Sequence, residues 1–330
     1  MSETLVVSPS WIGDAVLAQP LLARLKSRDP SGAIDVLAPA WAGAVYGRMP
    51  EVRRTIAFPF GHGELRLAAR RRFAKGLPRY DRAVVLPGSL KSALVPWFAG
   101  IALRTGWRGE MRYGLLNDLR VLDPERLPLM VERFAALAQP AGEEIERPVP
   151  EPRLLADPAR SAATAARLGL AGEAPVLALA PGAEYGPAKR WPARHFAALA
   201  REQAGLGYRI WLLGSAKDAA ASAEVAALAG VPVADLAGRT SLDEAIDLLS
   251  LASRVVTNDS GLMHVAAALG RPLAAVFGSS SPAHTPPLSA KARVVWLHLD
   301  CSPCFARECP LGHTDCLEKL DPAQVRAALD

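Results

Sequence analysis

The residues best suited to chemistry lie in segment 257–272, where a short strand, a polar turn and a helix follow one another. The turn carries Asn258, Asp259 and Ser260, which cap helices well, and Gly261 allows a ligand to approach the backbone. The amide groups of a first helical turn and the helix dipole attract an anion. For an isolated motif, an ordinary strand-to-helix connection is the better explanation, but the other loops of the chain favour a phosphate site.

A second candidate loop for phosphate follows the predicted strand Val176–Ala180. The loop is rich in glycine and proline and carries Lys189 and Arg190 before the next helix. Lysine is a compact positive charge of the kind that a departing diphosphate needs, whereas Arg190 can instead face solvent. We expect Trp191 to pack beneath the helix rather than to stack on a base.

Three further positions in the second half are candidate ligand contacts. Lys217 follows a predicted strand and either touches a nucleoside or belongs to a plain capped helix start. Thr240 precedes Ser241 and Glu244, which have capping-box spacing, and is expected near the ligand. His264 lies one turn into the helix of segment 257–272, where packing and ligand contact are both open interpretations.

In the first half, the candidate residue is Asp14, which follows the first predicted strand in the sequence Ser10-Trp11-Ile12-Gly13-Asp14. An acid in the first turn of a helix stabilises that helix through its dipole, which is a sufficient structural reason for an aspartate. A carboxylate at the end of a strand can also accept a proton from a substrate hydroxyl, as a general base. Position alone does not decide between these two roles.

The whole chain has a net charge of +5 and an isoelectric point near 9.2. Its basic residues cluster in the first half. Such a cluster is either a solvated helix face or a surface for an anionic substrate or membrane. Nucleic acid is a less favoured partner, because the basic run has no interleaved aromatic residues and no recognised binding motif. The cluster comprises Arg66, Arg70, Arg71, Arg72 and Lys75, followed by Lys91, Arg104, Arg108, Arg112 and Arg120.

Short apolar strands alternate with helices in both halves, which predicts two doubly wound parallel α/β sheets. The proline-rich stretch 143–158 has no apolar period and predicts a linker. We therefore expect one domain at 1–160, with its linker at about 143–160, and a second at 161–330. Ligands of open α/β sheets bind beyond the carboxyl ends of the strands, so a cleft between the domains is the expected site. The predicted strands are Leu5–Val7, Ile34–Leu37, Thr55–Phe58, Ala83–Leu86, Val176–Ala180, Ile210–Leu213, Val233–Leu236, Arg254–Thr257 and Leu273–Phe277, and the predicted helices include Ala15–Arg28 and Leu90–Phe98.

Composition and the chain start point to a cytoplasmic protein. Half of the 330 residues are hydrophobic and 22% are charged, as in folded soluble proteins. The acidic start with Glu3 does not fit the basic start of a secretory signal. The longest apolar run, residues 93–103, contains Pro96 and Gly100 and is too short to cross a bilayer.

All four cysteines fall in one block, residues 301–316, which contains a Cys-x-x-Cys pair and His313. Four thiols so close in sequence can hold a structural zinc ion. The spacing of Cys309 and Cys316 from the first pair is not that of a common zinc finger, so reduced packing thiols are the favoured interpretation. Disulfides are disfavoured in the cytoplasm.

Taken in order, these motifs closely resemble the ADP-heptose:lipopolysaccharide heptosyltransferases of glycosyltransferase family 9, and above all the heptosyltransferase II branch. The heptosyltransferase I branch has small hydroxyl residues where this chain has Glu184 and Tyr185, and an acid where this chain has segment 214–217. The resemblance covers almost the whole chain and rests on the motifs Trp11–Asp14, Ser89–Pro96, Arg104–Asp118, Pro181–Pro192, Gly214–Asp218, Thr257–His264 and the cysteine block.

The resemblance implies the GT-B architecture, in which two Rossmann-like domains face each other across a cleft, with the donor in the C-terminal domain and the acceptor in the N-terminal one. It implies an inverting transfer of heptose from ADP-L-glycero-D-manno-heptose to the first heptose of heptosyl-Kdo2-lipid A, at the inner face of the inner membrane. Asp14 is then the catalytic base, and Lys189 binds the donor phosphates. The remaining candidate donor contacts are Ser10, Gly13, Lys217, Thr240, Asp259, Ser260, Gly261 and His264, and the candidate acceptor contacts are Lys91, Arg108 and Arg112.

We expect no required cofactor and no divalent metal in the active site, because the chain contains no Asp-x-Asp pair. Three other functions stay open: a heptosyltransferase I acting on Kdo2-lipid A, a sugar-nucleotide epimerase of similar fold, and a non-catalytic lipopolysaccharide-binding protein. A Rossmann oxidoreductase is disfavoured, because no Gly-x-Gly-x-x-Gly follows a strand.

Overall fold

The computed structural model describes residues 2–61 and 63–329, which form two compact units divided between Pro152 and Arg153. Each unit is built on one six-stranded sheet in which every paired strand is parallel. The predicted fold class, two doubly wound α/β sheets, is therefore confirmed.

The first unit alternates strands and helices along the chain. Its strands are β1 (Glu3–Val7), β2 (Ala33–Ala38), β3 (Arg54–Ala57), β4 (Arg82–Val85), β5 (Leu103–Trp107) and β6 (Asp118–Arg120). Its helices are α1 (Ile12–Leu17), α2 (Gln19–Arg28), α3 (Gly43–Tyr46), α4 (Leu67–Lys75), α5 (Leu90–Phe98) and α6 (Met130–Ala135). The spatial strand order β3-β2-β1-β4-β5-β6 is that of a Rossmann fold. The order of successive strands runs one way from β1 to β3 and the other way from β4 to β6, so the strand reversal lies between β1 and β4.

Two features of the first unit differ from the sequence prediction. The predicted helix Ala15–Arg28 is instead two helices that meet at Ala18. Pro20 is the second residue of α2 and has no N–H for the carbonyl of Val16, so the first helix cannot continue through it. Strands β5 and β6 were not predicted, because arginine and aspartate interrupt their apolar pattern and β6 is at the edge of the sheet.

The second unit repeats the same plan. Its strands are β7 (Val176–Ala180), β8 (Arg209–Leu212), β9 (Val233–Asp235), β10 (Arg254–Asn258), β11 (Leu273–Val276) and β12 (Ala292–Val295). Its helices are α7 (Pro158–Arg167), α8 (Ala193–Gly205), α9 (Ala219–Ala229), α10 (Leu242–Leu251), α11 (Gly261–Ala268), α12 (Asp315–Glu318) and α13 (Pro322–Ala327). The order β9-β8-β7-β10-β11-β12 is again the Rossmann order, with its reversal between β7 and β10.

The central strands are buried because helices cover both faces of each sheet. Every residue of β7 is buried, and Trp191 and Phe196 pack with Leu177 in the core of the second unit. The edge strand β12 has no buried residue and carries Arg293 between its apolar residues, which is why its pattern escaped prediction. Almost all residues of β1, β4, β7 and β10 are buried, so the loops that follow these strands begin from fixed positions.

The proline-rich stretch between the sheets forms neither helix nor strand from residue 143 to residue 157. Helix α7 begins at Pro158, where the Asp157 side chain accepts the amide of Ala159 at 3.0 Å. The last residues of the stretch that the sequence assigns to the linker are therefore the first turn of α7. In the two described ranges, no helix has both the length and the apolar character needed to cross a bilayer.

Candidate active site

In the second unit, Asn258 joins the two loops at the strand reversal. Its side-chain amide donates to the carbonyl of Pro181 at 2.7 Å, and its side-chain oxygen accepts the amide of Trp191 at 2.9 Å. Asn258 is fully buried at the end of β10. It therefore fixes both ends of the loop 181–191 against the start of α11.

The fixed loop brings Lys189 to Asp259. The ammonium of Lys189, in a 3₁₀ turn formed by Pro187–Lys189, pairs with the Asp259 carboxylate. The same carboxylate oxygen accepts the hydroxyl of Ser280 at 2.6 Å. The ring of Tyr185 lies 5.0 Å from the ammonium, which adds a cation–π contact. The structure thus brings two predicted donor residues into direct contact and fixes the lysine from two sides.

Helix α11 presents its first turn beside this ion pair. Ser260 is its N-cap residue, but no side chain caps the helix, and Gly261 is its first residue. The Ser260 hydroxyl is buried and has no hydrogen-bond partner among the described residues. The start of α11 therefore offers backbone amides and one hydroxyl to an anion, as segment 257–272 predicts.

His264 is buried one turn further along α11. The pKa of its imidazole is lowered to about 4, chiefly by burial; the Asp259 carboxylate opposes this shift and the Lys189 ammonium adds to it. The side chain is therefore neutral at physiological pH and can serve a ligand as a hydrogen-bonding group but not as a charge.

The remaining candidates of the second unit are more exposed. Lys217 pairs with Glu184, and both side chains face solvent. Asp218 forms a capping box with Ser215. The capped helix start, one of the two interpretations of this segment, is therefore present. Thr240 donates to the carbonyl of Leu236 at 3.5 Å. The capping box of Ser241 with Glu244 is confirmed.

Glycine allows these loops to approach one another. A Cβ on Gly182 would come within 2.2 Å of the Asp218 carboxyl group, and one on Gly238 within 2.9 Å of the Ala216 backbone. Gly238 also has a φ of 72°, which favours glycine. The loops after β7, β8 and β9 therefore pack closely against one another at one end of the sheet.

In the first unit, a cavity of about 710 Å³ opens beyond the ends of β1 to β4. Three predicted site residues line it: Ser10, Asp14 and Lys91. Asp14 is in the first turn of α1 and is partly exposed, and Gly13 precedes it in the same helix. The cavity also has an aromatic wall, which sequence reasoning missed, made of Trp11, Trp41, Phe58, Phe60 and Phe134.

Two predicted basic positions differ in what they can reach. Arg112 is 1% exposed and donates to the carbonyls of Pro87, at 2.6 Å, and of Trp107. This buried guanidinium holds the loop after β4, so the predicted acceptor contact of Arg112 is corrected to a structural role. Arg108 is exposed and Lys91 is partly exposed, so both stay accessible to an acceptor.

Arg70 is a second buried guanidinium in the basic cluster. It donates to the carbonyls of Leu65, at 2.7 Å, and of Glu64, at 2.8 Å, and lies 4.9 Å from the ring of Phe58 and 4.6 Å from that of Phe60. Its pKa is lowered by burial. Arg70 therefore supports the aromatic wall, and the spacing of Phe58 and Phe60 directly after β3 is the signal that could have revealed this wall.

In residues 2–61 and 63–329, no group of three or more His, Cys, Asp or Glu side chains has a ready-made metal-binding arrangement. At its strand reversal, the second unit has an arrangement of donors suited to an anion. The first unit has a cavity lined by a carboxylate, Asp14.

Known proteins resemble this chain over most of its length. A family model described as glycosyltransferase family 9 (heptosyltransferase) matches residues 70–315. The chain is 51% identical over 306 residues to lipopolysaccharide heptosyltransferase 2 of Escherichia coli K12, covering 89% of this chain and 88% of that protein. It is 46% identical over 307 residues to lipooligosaccharide heptosyltransferase 2 of Haemophilus influenzae, with the same coverage of 89% and 88%.

A solved structure extends this likeness to the fold. The structure of E. coli ADP-heptose lps heptosyltransferase II matches with a TM-score of 0.89 and 45% sequence identity, covering 99% of this chain and 98% of that one. The fold of this chain is therefore closely similar to that of a solved protein of nearly the same extent.

Proposed function

Because the chain belongs to glycosyltransferase family 9, the heptosyltransferases, we propose that it transfers heptose from ADP-L-glycero-D-manno-heptose to the first heptose of heptosyl-Kdo2-lipid A. The relatives named heptosyltransferase 2 support this acceptor over Kdo2-lipid A itself. The observation that carries the proposal is the contact between Lys189 and Asp259 at the start of α11.

The donor diphosphate is assigned to the second unit. Lys189 supplies a cation, and the first amides of α11, with the Ser260 hydroxyl, supply neutral donors beside it. Groups of this kind are fixed before the reaction, and removal of one typically costs about 3 kcal/mol of transition-state stabilisation. They stabilise the charge that develops on ADP as it leaves, without a divalent metal.

The proton transfer is assigned to Asp14 in the first unit. The acceptor hydroxyl attacks the anomeric carbon of the donor heptose, and Asp14 takes the proton of that hydroxyl. The bond from the anomeric carbon to the diphosphate oxygen breaks, and ADP leaves with its electron pair. One displacement of this type inverts the anomeric centre. Ser10 and Gly13, which precede Asp14, are assigned to the loop that approaches the transferred sugar.

The acceptor is lipid-linked and carries phosphates, so we place the protein in the cytoplasm, peripherally at the inner face of the inner membrane. Exposed cations such as Arg66, Arg71 and Arg72 support this placement, because each cation near an anionic membrane contributes about 1 kcal/mol. Lys91 and Arg108 are assigned to anionic groups of the acceptor.

Incubation with ADP-heptose and, in separate reactions, heptosyl-Kdo2-lipid A or Kdo2-lipid A tests the function directly. The expected result is the gain of one heptose mass on heptosyl-Kdo2-lipid A, seen by mass spectrometry, with release of ADP. A mass gain only on Kdo2-lipid A would identify a heptosyltransferase I. Conversion of the donor without a lipid product would identify an epimerase, and lipid binding without ADP release a binding protein.

A further inference from the structure

The four cysteines of the chain line one small cavity in the second unit. The cavity has a volume of about 20 Å³, and Ser279 and His313 are also among its lining residues. All four cysteines are free thiols, of which Cys316 is buried at the first turn of α12. A space of this size accommodates one water molecule or one ion.

A buried hydroxyl in the same cavity has no partner. Ser279 is 1% exposed, and its side-chain oxygen makes no hydrogen bond to any described residue. A buried polar atom without a partner is costly, so its presence indicates a ligand of the cavity. This observation is independent of the cysteines.

Apart from Cys316, the cysteine block lies outside the apolar core of the second unit. Residues 296–314 form neither helix nor strand, and no residue from 301 to 314 is buried. Irregular segments of this length are uncommon in compact domains. Phe305 and Thr314 also have φ angles of 54° and 50°, a left-handed conformation that persists only where the surroundings fix it. Something other than apolar burial must therefore order this segment.

We propose that Cys301, Cys304, Cys309 and Cys316 bind one structural metal ion, zinc or iron, as a tetrathiolate. Thiolates are the ligands that these ions prefer in four-coordinate structural sites. The ring nitrogen Nδ1 of His313 already accepts the amide of Asp315 at 3.0 Å, so His313 is not assigned as a ligand. Binding converts four thiols to thiolates and releases four protons to solvent. Because the sulfurs are not yet in a finished metal geometry, they must close further around the ion.

The metal would order the part of the cysteine block that contacts the loop carrying Lys189. Tyr185 donates its hydroxyl to the carbonyl of Phe305 at 2.7 Å, and Ala188 donates its amide to the carbonyl of Arg307 at 3.1 Å. The Arg307 guanidinium also lies 5.1 Å from the Tyr185 ring. The cysteine block is therefore hydrogen-bonded to the loop that carries Lys189 at two residues that precede the lysine, and its four thiolates have a positioning role there.

Elemental analysis of the full chain, purified under reducing conditions without chelator, tests the site. We expect one zinc or one iron per chain in the wild type, and the analysis identifies which. We expect loss of that metal in Cys304→Ser and Cys309→Ser. The matched control is His313→Ala, which alters the same cavity and keeps the metal. Loss of metal in the control, with all four cysteines present, would overturn the tetrathiolate assignment.

A second measurement needs no variant and so does not depend on the folding of one. The metal-free wild type is titrated with Zn²⁺ or Fe²⁺ while the reactivity of its thiols with a disulfide reagent is followed. All four thiols become protected at one equivalent of metal if the proposal holds. Unchanged reactivity, together with wild-type protein that contains no metal, contradicts it. Neither experiment uses ADP-heptose or the acceptor, so failure of this site and failure of the proposed function are separate results.

Discussion

The two units share one strand order but carry different chemistry at the strand reversal. The first unit has an open cavity with an aromatic wall and a carboxylate, Asp14. The second unit has a nearly buried ion pair, Lys189 with Asp259, next to the start of α11. Since the sheets are alike, the difference lies in the loops and helix starts that follow the strands: one set suits an uncharged hydroxyl group that loses a proton, and the other suits a diphosphate.

Replacing the carboxylate of the first unit is the strongest way to test this comparison. We expect Asp14→Asn to lower kcat by about 10³-fold, within the range for loss of a general base, while the Kd for ADP-heptose stays unchanged. Steady-state kinetics and calorimetry measure the two quantities. The control is Glu110→Gln in the same cavity, where an amide oxygen can still accept the amide of Leu90. Near-normal turnover in Asp14→Asn would remove Asp14 from the role of base.

Replacing the cation of the second unit comes next. We expect Lys189→Met to lower kcat/KM by about 10²-fold, because one fixed donor to the leaving diphosphate is lost. Lys217→Met is the matched control, since Lys217 is exposed and pairs with Glu184. A small change, within about fivefold, is expected there because exposed ion pairs contribute about 1 kcal/mol or less. Equal losses in both variants would mean that burial of the cation is irrelevant to donor binding.

The second unit contains a buried histidine, His264, that makes stability depend on pH. His264 titrates near pH 4 in the folded protein and near 6.5 in the unfolded chain, so the unfolded chain binds more protons between these values. The free energy of unfolding therefore falls as the pH decreases through this window, by about 2 kcal/mol between pH 7 and 4.5. Denaturant titrations at both pH values measure this loss, which we expect to be absent in His264→Gln. The control His284→Gln should retain the wild-type loss.

The smallest effect is expected at the first unit's own cation. Lys91→Met should raise the KM for the lipid acceptor about fivefold and leave the KM for ADP-heptose unchanged, because one cation near an anionic group contributes about 1 kcal/mol. In Arg112→Met we expect lower stability rather than a specific change in acceptor KM, since its guanidinium is buried on backbone carbonyls. Acceptor kinetics at equal folded fraction separate these two outcomes.

Much of the fold was predictable because central parallel strands are continuous apolar runs. The strand Val176–Ala180 and the helix Leu90–Phe98 have the predicted bounds. Strands at or near a sheet edge, such as Leu103–Trp107 and Ala292–Val295, were missed because polar residues interrupt their pattern. The apolar period of a helix does not depend on a single missing N–H group. The break between α1 and α2, before Pro20, was therefore not predicted.

The candidate site was predictable where a loop directly follows a central strand. Asp14, Lys189 and Asp259 were found in this way, and the structure joins the last two. Arg112 was misjudged because a sequence shows charge but not burial. The contact of Ser280 with Asp259 and the aromatic wall were not predicted, because both come from contacts between segments apart in the chain. Whether the two units form one cleft stays a prediction.

The contact between Lys189 and Asp259 has a consequence for selectivity. The lysine already has a counter-ion, so a competing anion gains little from simple attraction and must displace a carboxylate to reach the ammonium. A single inorganic phosphate offers few contacts in exchange. A nucleotide sugar has two linked phosphates, a base and a sugar, and its contacts can replace the ion pair that Lys189 loses with Asp259. The loop that carries Lys189 would therefore bind small anions weakly, even where they are abundant.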